Sequence, residues 1–197
     1  MGHGTEAGFD AGRLRYLFGE IGRRLRERRQ VAEIAVFGGS ALVLTFDYRE
    51  ATRDIDYVPL VADPRALEEV ASEIGQQENL PENWLNDAVR IFTSDTPDYR
   101  LVGDFPDGKP GLRVYSASPR YLLAMKIMSM RSSLETNDVL DVWNLIDACG
   151  VRNAEEAAAL TKEFFPSKDI PRRNQLLLED VFEAKGNNQA YSRAIGW

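Results

Sequence analysis

A single junction near residue 37 constrains this chain more than any other feature. The apolar run Glu33-Ile34-Ala35-Val36-Phe37 stops on Gly38-Gly39-Ser40, and a second apolar run continues to Phe46. The first run has the β-branched and aromatic content of a buried strand. The second, Ser40 to Phe46, reads as a short helix packed on a sheet. Glycines at such a turn let the backbone approach a bound group, and the helix opening turns its unpaired N–H groups toward the same place. Ser40 adds a hydroxyl able to hydrogen-bond a phosphate oxygen. Taken alone, the motif is equally the mark of an ordinary turn.

The rest of the chain fills in the layers. Leu14, Leu17, Phe18, Ile21 and Leu25 recur at three- and four-residue steps, predicting an amphipathic helix between Phe9 and Gln30 with arginines outside. Ile55–Leu60 reads as a strand, and Asp63-Pro64 starts a helix that ends near Gly75. Further strands are expected at Ala88–Phe92, Tyr99–Phe105 and Leu112–Tyr115. Ser118-Pro119 caps a long apolar helix through Met130, and helical stretches follow near Asn137–Ala148, Ala154–Phe165 and Pro171–Ala184. The pattern is α+β: a mixed sheet flanked by helices over residues 1–116, then a helical part over 117–197.

The second chemical signal is Asp54-Ile55-Asp56. On a strand, a spacing of two puts both carboxylates on one face and Ile55 on the other. Two acids on one face repel each other and are seldom placed together without a cation between them. Mg²⁺ takes one or two carboxylates together with substrate phosphates, which suits the pair. A lone Asp-x-Asp is otherwise a solvated strand edge.

Composition removes the alternatives. The chain of 197 residues has one cysteine, Cys149, and one histidine, His3. Disulfide frameworks, multi-cysteine metal sites and histidine acid/base chemistry are excluded. A net charge of −7 argues against a general nucleic-acid binder, although Arg13, Arg15, Arg23, Arg24, Arg26, Arg28 and Arg29 crowd one helix. That cluster reads first as a solvated helix face and second as a surface for an acidic partner. Without a signal segment or a membrane-length apolar run, the expectation is a cytoplasmic protein.

Gly39-Ser40 followed at a short interval by Asp54-Ile55-Asp56 resembles the nucleotidyltransferase-fold superfamily. The resemblance implies Mg²⁺ (or Mn²⁺) held by Asp54 and Asp56, and a nucleoside triphosphate as substrate. Gly38, Gly39, Ser40, Arg53 and Lys126 would contact its phosphates. Thr52-Arg53, Trp84-Leu85-Asn86-Asp87, the helix Pro119–Lys126, Arg131 and Asn137-Asp138-Val139-Leu140-Asp141 carry the resemblance toward one branch. That branch is the AbiEii-like toxins of bacterial abortive-infection and toxin–antitoxin systems and their relatives. It implies RNA, tRNA included, as acceptor, with a protein side chain or a small molecule left open, and an antitoxin protein as partner.

Several of these residues carry a plainer reading beside the functional one. Lys126 either neutralises triphosphate charge or packs its stem on the core with its head in water. Asp138 and Asp141, a turn apart, either complement a helix start or orient Lys126 and the acceptor. Arg53 either balances the acid pair or touches phosphate. Leu112-Arg113-Val114-Tyr115-Ser116 lacks the third carboxylate that many superfamily members carry on such a strand, and Asn137 stands where a lysine is usual. The enzyme reading therefore has a rival, a degenerate nucleotidyltransferase that binds nucleotide or a partner without turnover.

Overall fold

Asp10 sets the start of the first element. In the computed structural model, which describes residues 8–46, 49–130 and 136–186 (136–139 by backbone alone), its carboxylate accepts a hydrogen bond from Arg13 N at 2.7 Å. This caps helix α1, Ala11–Glu27. Leu14, Leu17, Phe18, Ile21 and Leu25 form its buried stripe. Its arginines are largely tied into ion pairs. Arg23 meets Glu20 and Glu27, while Arg13 and Arg28 reach Glu78 and Glu73. Those last two acids lie on or beside the outer turns of helix α3, Pro64–Glu78. The solvated-face reading of the arginine cluster describes these residues.

The chain divides into two compact units, Met1–Ile91 with Tyr99–Ala117, and Phe92–Asp98 with Ser118–Trp197. The first unit holds strands β1 (Ala32–Val36), β2 (Ile55–Val61), β3 (Leu85–Asn86), β4 (Tyr99–Phe105) and β5 (Leu112–Ala117). Helix α2, Gly38–Thr45, joins β1 to β2. The sheet order is β3-β2-β1-β5-β4, with β1–β5 and β2–β3 parallel and the other pairs antiparallel. The sheet is therefore mixed, with helices packed on it. The centre of one face is apolar and covered: Ile34, Val36, Ile55, Leu112 and Val114 are all inaccessible to solvent.

Helix α1 lies close over the β4–β5 hairpin because two glycines let it. A Cβ on Gly22 would fall 2.0 Å from the Phe105 carbonyl oxygen, and one on Gly111 would fall 2.0 Å from the Gly22 oxygen. Side chains at either position are incompatible with that approach.

The expected strand at Ala88–Phe92 is corrected: the segment is a 3₁₀ helix. The Asn86 side-chain oxygen accepts from Ala88 N at 3.2 Å, and Asp87 O accepts from Arg90 N at 2.9 Å, which closes a turn. Its β-type residues face outward instead of pairing, with Ile91 77% exposed. The strand in this stretch comes earlier, at Leu85–Asn86. Local side-chain bonding has won over β composition.

In the second unit, Ser118 caps helix α4, Pro119–Ser129, by accepting from Tyr121 N at 3.2 Å. Helices α5 (Thr136–Cys149), α6 (Ala154–Phe164) and α7 (Arg172–Gly186) pack around it. Tyr121 stacks on Phe164 with ring centroids 5.1 Å apart. Asn174 of α7 donates to the carbonyls of Ile127 and Met128 at 2.9 and 3.0 Å, satisfying groups that the end of α4 leaves open. Among the described residues no helix is long and apolar enough to cross a membrane. His3 and Arg131 lie outside the described residues.

Candidate functional site

The site is built at the end of β1. Phe37 N donates to Asp56 O at 2.9 Å, so the antiparallel pairing of β1 with β2 continues to the turn. This brings the start of β2 beside the opening of α2. Gly38 takes a left-handed conformation, φ +53°, that side chains rarely adopt. A Cβ there would stand 2.6 Å from Asp56 Oδ2. The carboxylate of Asp56 is thus packed directly against the glycine turn.

Gly39 is crowded in the same way by different groups. A Cβ on Gly39 would lie 2.4 Å from Thr52 Oγ1 and 2.9 Å from an Arg49 guanidinium nitrogen. Thr52 is held in place by paired backbone bonds with Phe9, Phe9 N to Thr52 O at 2.6 Å and Thr52 N to Phe9 O at 3.0 Å. Its hydroxyl donates to Asp54 O at 3.2 Å. A carboxylate, a hydroxyl and a guanidinium therefore meet at two glycines.

The helix opening itself is left for other partners. Phe37 occupies the cap position of α2 and supplies no side-chain hydrogen bond. The first N–H groups of a helix have no intrahelical acceptor, so the turn presents donors and a positive dipole end. Ser40 is buried, and its hydroxyl donates to the Phe37 carbonyl at 2.8 Å.

Alternation along β2 places its acids. Ile55 is fully buried, whereas Asp54 and Asp56 on either side are half-buried, as the spacing of two predicts. Asp54 lies in a bend just before the strand. Arg53 is exposed; Arg49 is the arginine that the structure brings to the turn. Sequence reasoning passed over Arg49 and met Thr52 only beside Arg53, as part of the branch resemblance. The signal for Thr52 was present, since positions 52, 54 and 56 share one parity.

Strand β5 carries no acid, and Asp104, opposite it on β4, is occupied. Asp104 lies within β4, where the Arg113 guanidinium grips it through Nε at 2.6 Å and Nη2 at 3.1 Å. That pairing holds the Asp104 carboxyl below its ordinary range. Among the described residues no three His, Cys, Asp or Glu side chains cluster as a metal site. A cation at the Asp54/Asp56 pair would draw its other ligands from substrate and water, which is the habit of Mg²⁺. Asp54 and Asp56, half-buried beside the glycine turn, are of the donor type that Mg²⁺ takes together with phosphate oxygens.

Lys126 and Asp141 belong to the second unit. Lys126 Nζ donates to Asp141 Oδ2 at 3.1 Å, with the Asp141 side chain 4% exposed and that of Lys126 20% exposed. The pairing expected between them is formed. Asp138 is on α5, but its side chain lies outside the described residues. Trp84 is a core residue, its ring nitrogen donating to Ala71 O at 3.2 Å and its edge meeting Phe9.

No curated protein matches the chain. Among solved structures it is similar to an antigenic nucleotidyltransferase-like protein from Paracoccidioides brasiliensis, at 15% identity and a TM-score of 0.44, covering 89% of this chain and 95% of that one. A sequence family carries the assignment. The model of a nucleotidyltransferase of unknown function (DUF6036) matches residues 12–179, spanning the glycine turn, the acid pair and most of the helical part, and the chain belongs to that family.

Proposed function

We propose that the chain transfers a nucleoside monophosphate from a nucleoside triphosphate to a hydroxyl acceptor, with Mg²⁺ held by Asp54 and Asp56. The observation that carries the reading is the Asp56 carboxylate packed against Gly38 at an uncapped helix opening. Bound there, Mg²⁺ would supply charge neutralisation of the triphosphate and of the leaving pyrophosphate. Gly39 leaves room for Thr52 and Arg49 to close on the turn, and the α2 N–H groups offer hydrogen bonds to phosphate oxygens. Arg49 adds positive charge beside them. In the reaction the acceptor oxygen bonds to the α-phosphorus, the bond to pyrophosphate breaks, and the hydroxyl proton passes to solvent.

The acceptor we propose is RNA, tRNA included, and the setting a toxin-type component neutralised by an antitoxin protein in the cytoplasm. The support is the order of Gly39-Ser40, Thr52-Arg53 and Asp54-Ile55-Asp56 in the sequence. The test is Mg²⁺-dependent transfer of label from each α-labelled triphosphate into total RNA and total protein. The reading expects label in RNA, abolished in Asp56→Asn. Label in protein alone would reassign the acceptor.

One observation favours the rival, a module that binds nucleotide without turnover. Asp104, an acid near the strand that carries the third carboxylate in many relatives, is committed to Arg113. Nucleotide binding with no transfer to any acceptor would establish that version.

A further inference from the structure

Tyr57 follows Asp56 on β2 and projects to the opposite face of the strand. There it helps wall a cavity of about 580 Å³ formed by helix α3 and the segment between residues 79 and 85, a volume in the range of small-molecule sites. The Tyr57 side chain is only 8% exposed. Its hydroxyl makes no hydrogen bond among the described residues. The ring is buried while the hydroxyl itself keeps contact with the solvent of the cavity, so a ligand there can take the place of water as its hydrogen-bond partner.

The charge of the cavity is one-sided. Glu68 and Glu82 line it, and no lysine or arginine does. Burial, followed by the negative fields of Asp87 and Glu68, pushes the Tyr57 hydroxyl up to about 12. The hydroxyl is thus neutral at ordinary pH and keeps both its proton and its acceptor lone pairs. Leu80 and Leu85 supply apolar wall. Trp84, also part of the wall, is fixed by its bond to Ala71 O.

We propose that this cavity binds an organic cation, an ammonium or guanidinium group on a short alkyl stem. Glu68 and Glu82 give the counter-charge, Tyr57 accepts a hydrogen bond from the cation, and Leu80 and Leu85 pack the stem. Charge-assisted bonds of this kind are stronger than neutral ones, and a guanidinium offers the larger number of donors. The site is separate from the glycine turn, since Tyr57 and Asp56 point to opposite faces of β2. The same group can arrive as a free small molecule or on a lysine or arginine of another protein.

Calorimetric titration of the full chain tests the proposal with n-butylguanidinium, n-butylammonium, neutral n-butylurea and a blocked Gly-Arg-Gly peptide. Saturable binding of the cations is expected, with n-butylurea weaker by about tenfold or more. The double variant Glu68→Gln with Glu82→Gln should lose about tenfold in cation affinity, and Tyr57→Phe about threefold. Both glutamates are exposed, so the double variant keeps the fold, which circular dichroism verifies. Tighter binding of the peptide than of n-butylguanidinium assigns the site to a partner's side chain; the reverse order assigns it to a free cation. Absence of saturable binding, or equal affinities for n-butylurea and for the double variant, would overturn the proposal.

Discussion

Asp56 stands against Gly38 so closely that a Cβ on the glycine would come within 2.6 Å of Oδ2. Neither residue says much alone, because acids on strands and glycines in turns are common. Together they join a negative ligand group to a helix opening that offers positive potential. The backbone makes the junction through the Phe37 N to Asp56 O bond at 2.9 Å. The placement of Asp56 at the turn is thus a consequence of strand register: a slip of one residue would carry it to the other face.

The glycine turn should tolerate no side chain. Gly38→Ala combines a left-handed backbone with contact on Asp56 and should destabilise by about 2 kcal/mol. Gly39 has no left-handed conformation to defend; its alanine would collide with Thr52 and Arg49 instead. The Gly39→Ala penalty should therefore shrink in a Thr52→Ala background, whereas the Gly38→Ala penalty should not. Urea midpoints for the three single and two double variants beside the wild type measure the coupling.

The Lys126–Asp141 pair makes a prediction for the second unit. Removing Lys126 leaves a nearly buried carboxylate without its ammonium at 3.1 Å. Lys126→Met alone should destabilise by about 2 kcal/mol, below the value for a fully buried pair because Lys126 is partly solvated. The double variant Lys126→Met with Asp141→Leu should recover most of that loss. Thermal melts of the three proteins provide the comparison.

Much of this was legible from the sequence, for reasons that can be named. The strand–glycine–helix junction and the acid pair were visible because period and composition agree there: Ile34, Val36 and Ile55 are core residues with core chemistry. The α1 stripe and the helix starts at Asp63 and Ser118 were equally plain. Ala88–Phe92 misled because Val89, Ile91 and Phe92 have strand chemistry, yet Asn86 and Asp87 bond locally and wind the segment up. Arg49 stayed hidden since its place depends on the return of the chain at Arg49 and Thr52 onto Gly39. No one-dimensional spacing encodes that return. The cavity beside Tyr57 was hidden likewise, because it joins α3 to a loop through packing alone.

Alkaline stability should report on Tyr57. Its hydroxyl is pushed up to about 12, chiefly by burial, above the unfolded value of 10.0. The folded state then holds the proton more tightly than the unfolded chain. The stabilisation is full below pH 10 and is lost as pH rises toward 12, by about 2 kcal/mol. Tyr16 and Tyr121 are also raised, so Tyr57→Phe should remove its own share of the slope and leave a remainder. Unfolding free energy against pH, with tyrosinate absorbance as a second readout, decides the matter.

The central claim is that Asp54, Asp56 and the Gly38–Gly39 turn form one site for a metal-bound triphosphate. It is tested most directly by titrating Mn²⁺, as a paramagnetic substitute for Mg²⁺, into the chain with a non-hydrolysable nucleoside triphosphate while following electron paramagnetic resonance. The account predicts nucleotide-dependent, saturable Mn²⁺ binding that Asp56→Asn weakens by about tenfold or more. Equal binding by wild type and Asp56→Asn, or Mn²⁺ uptake indifferent to nucleotide, would contradict it.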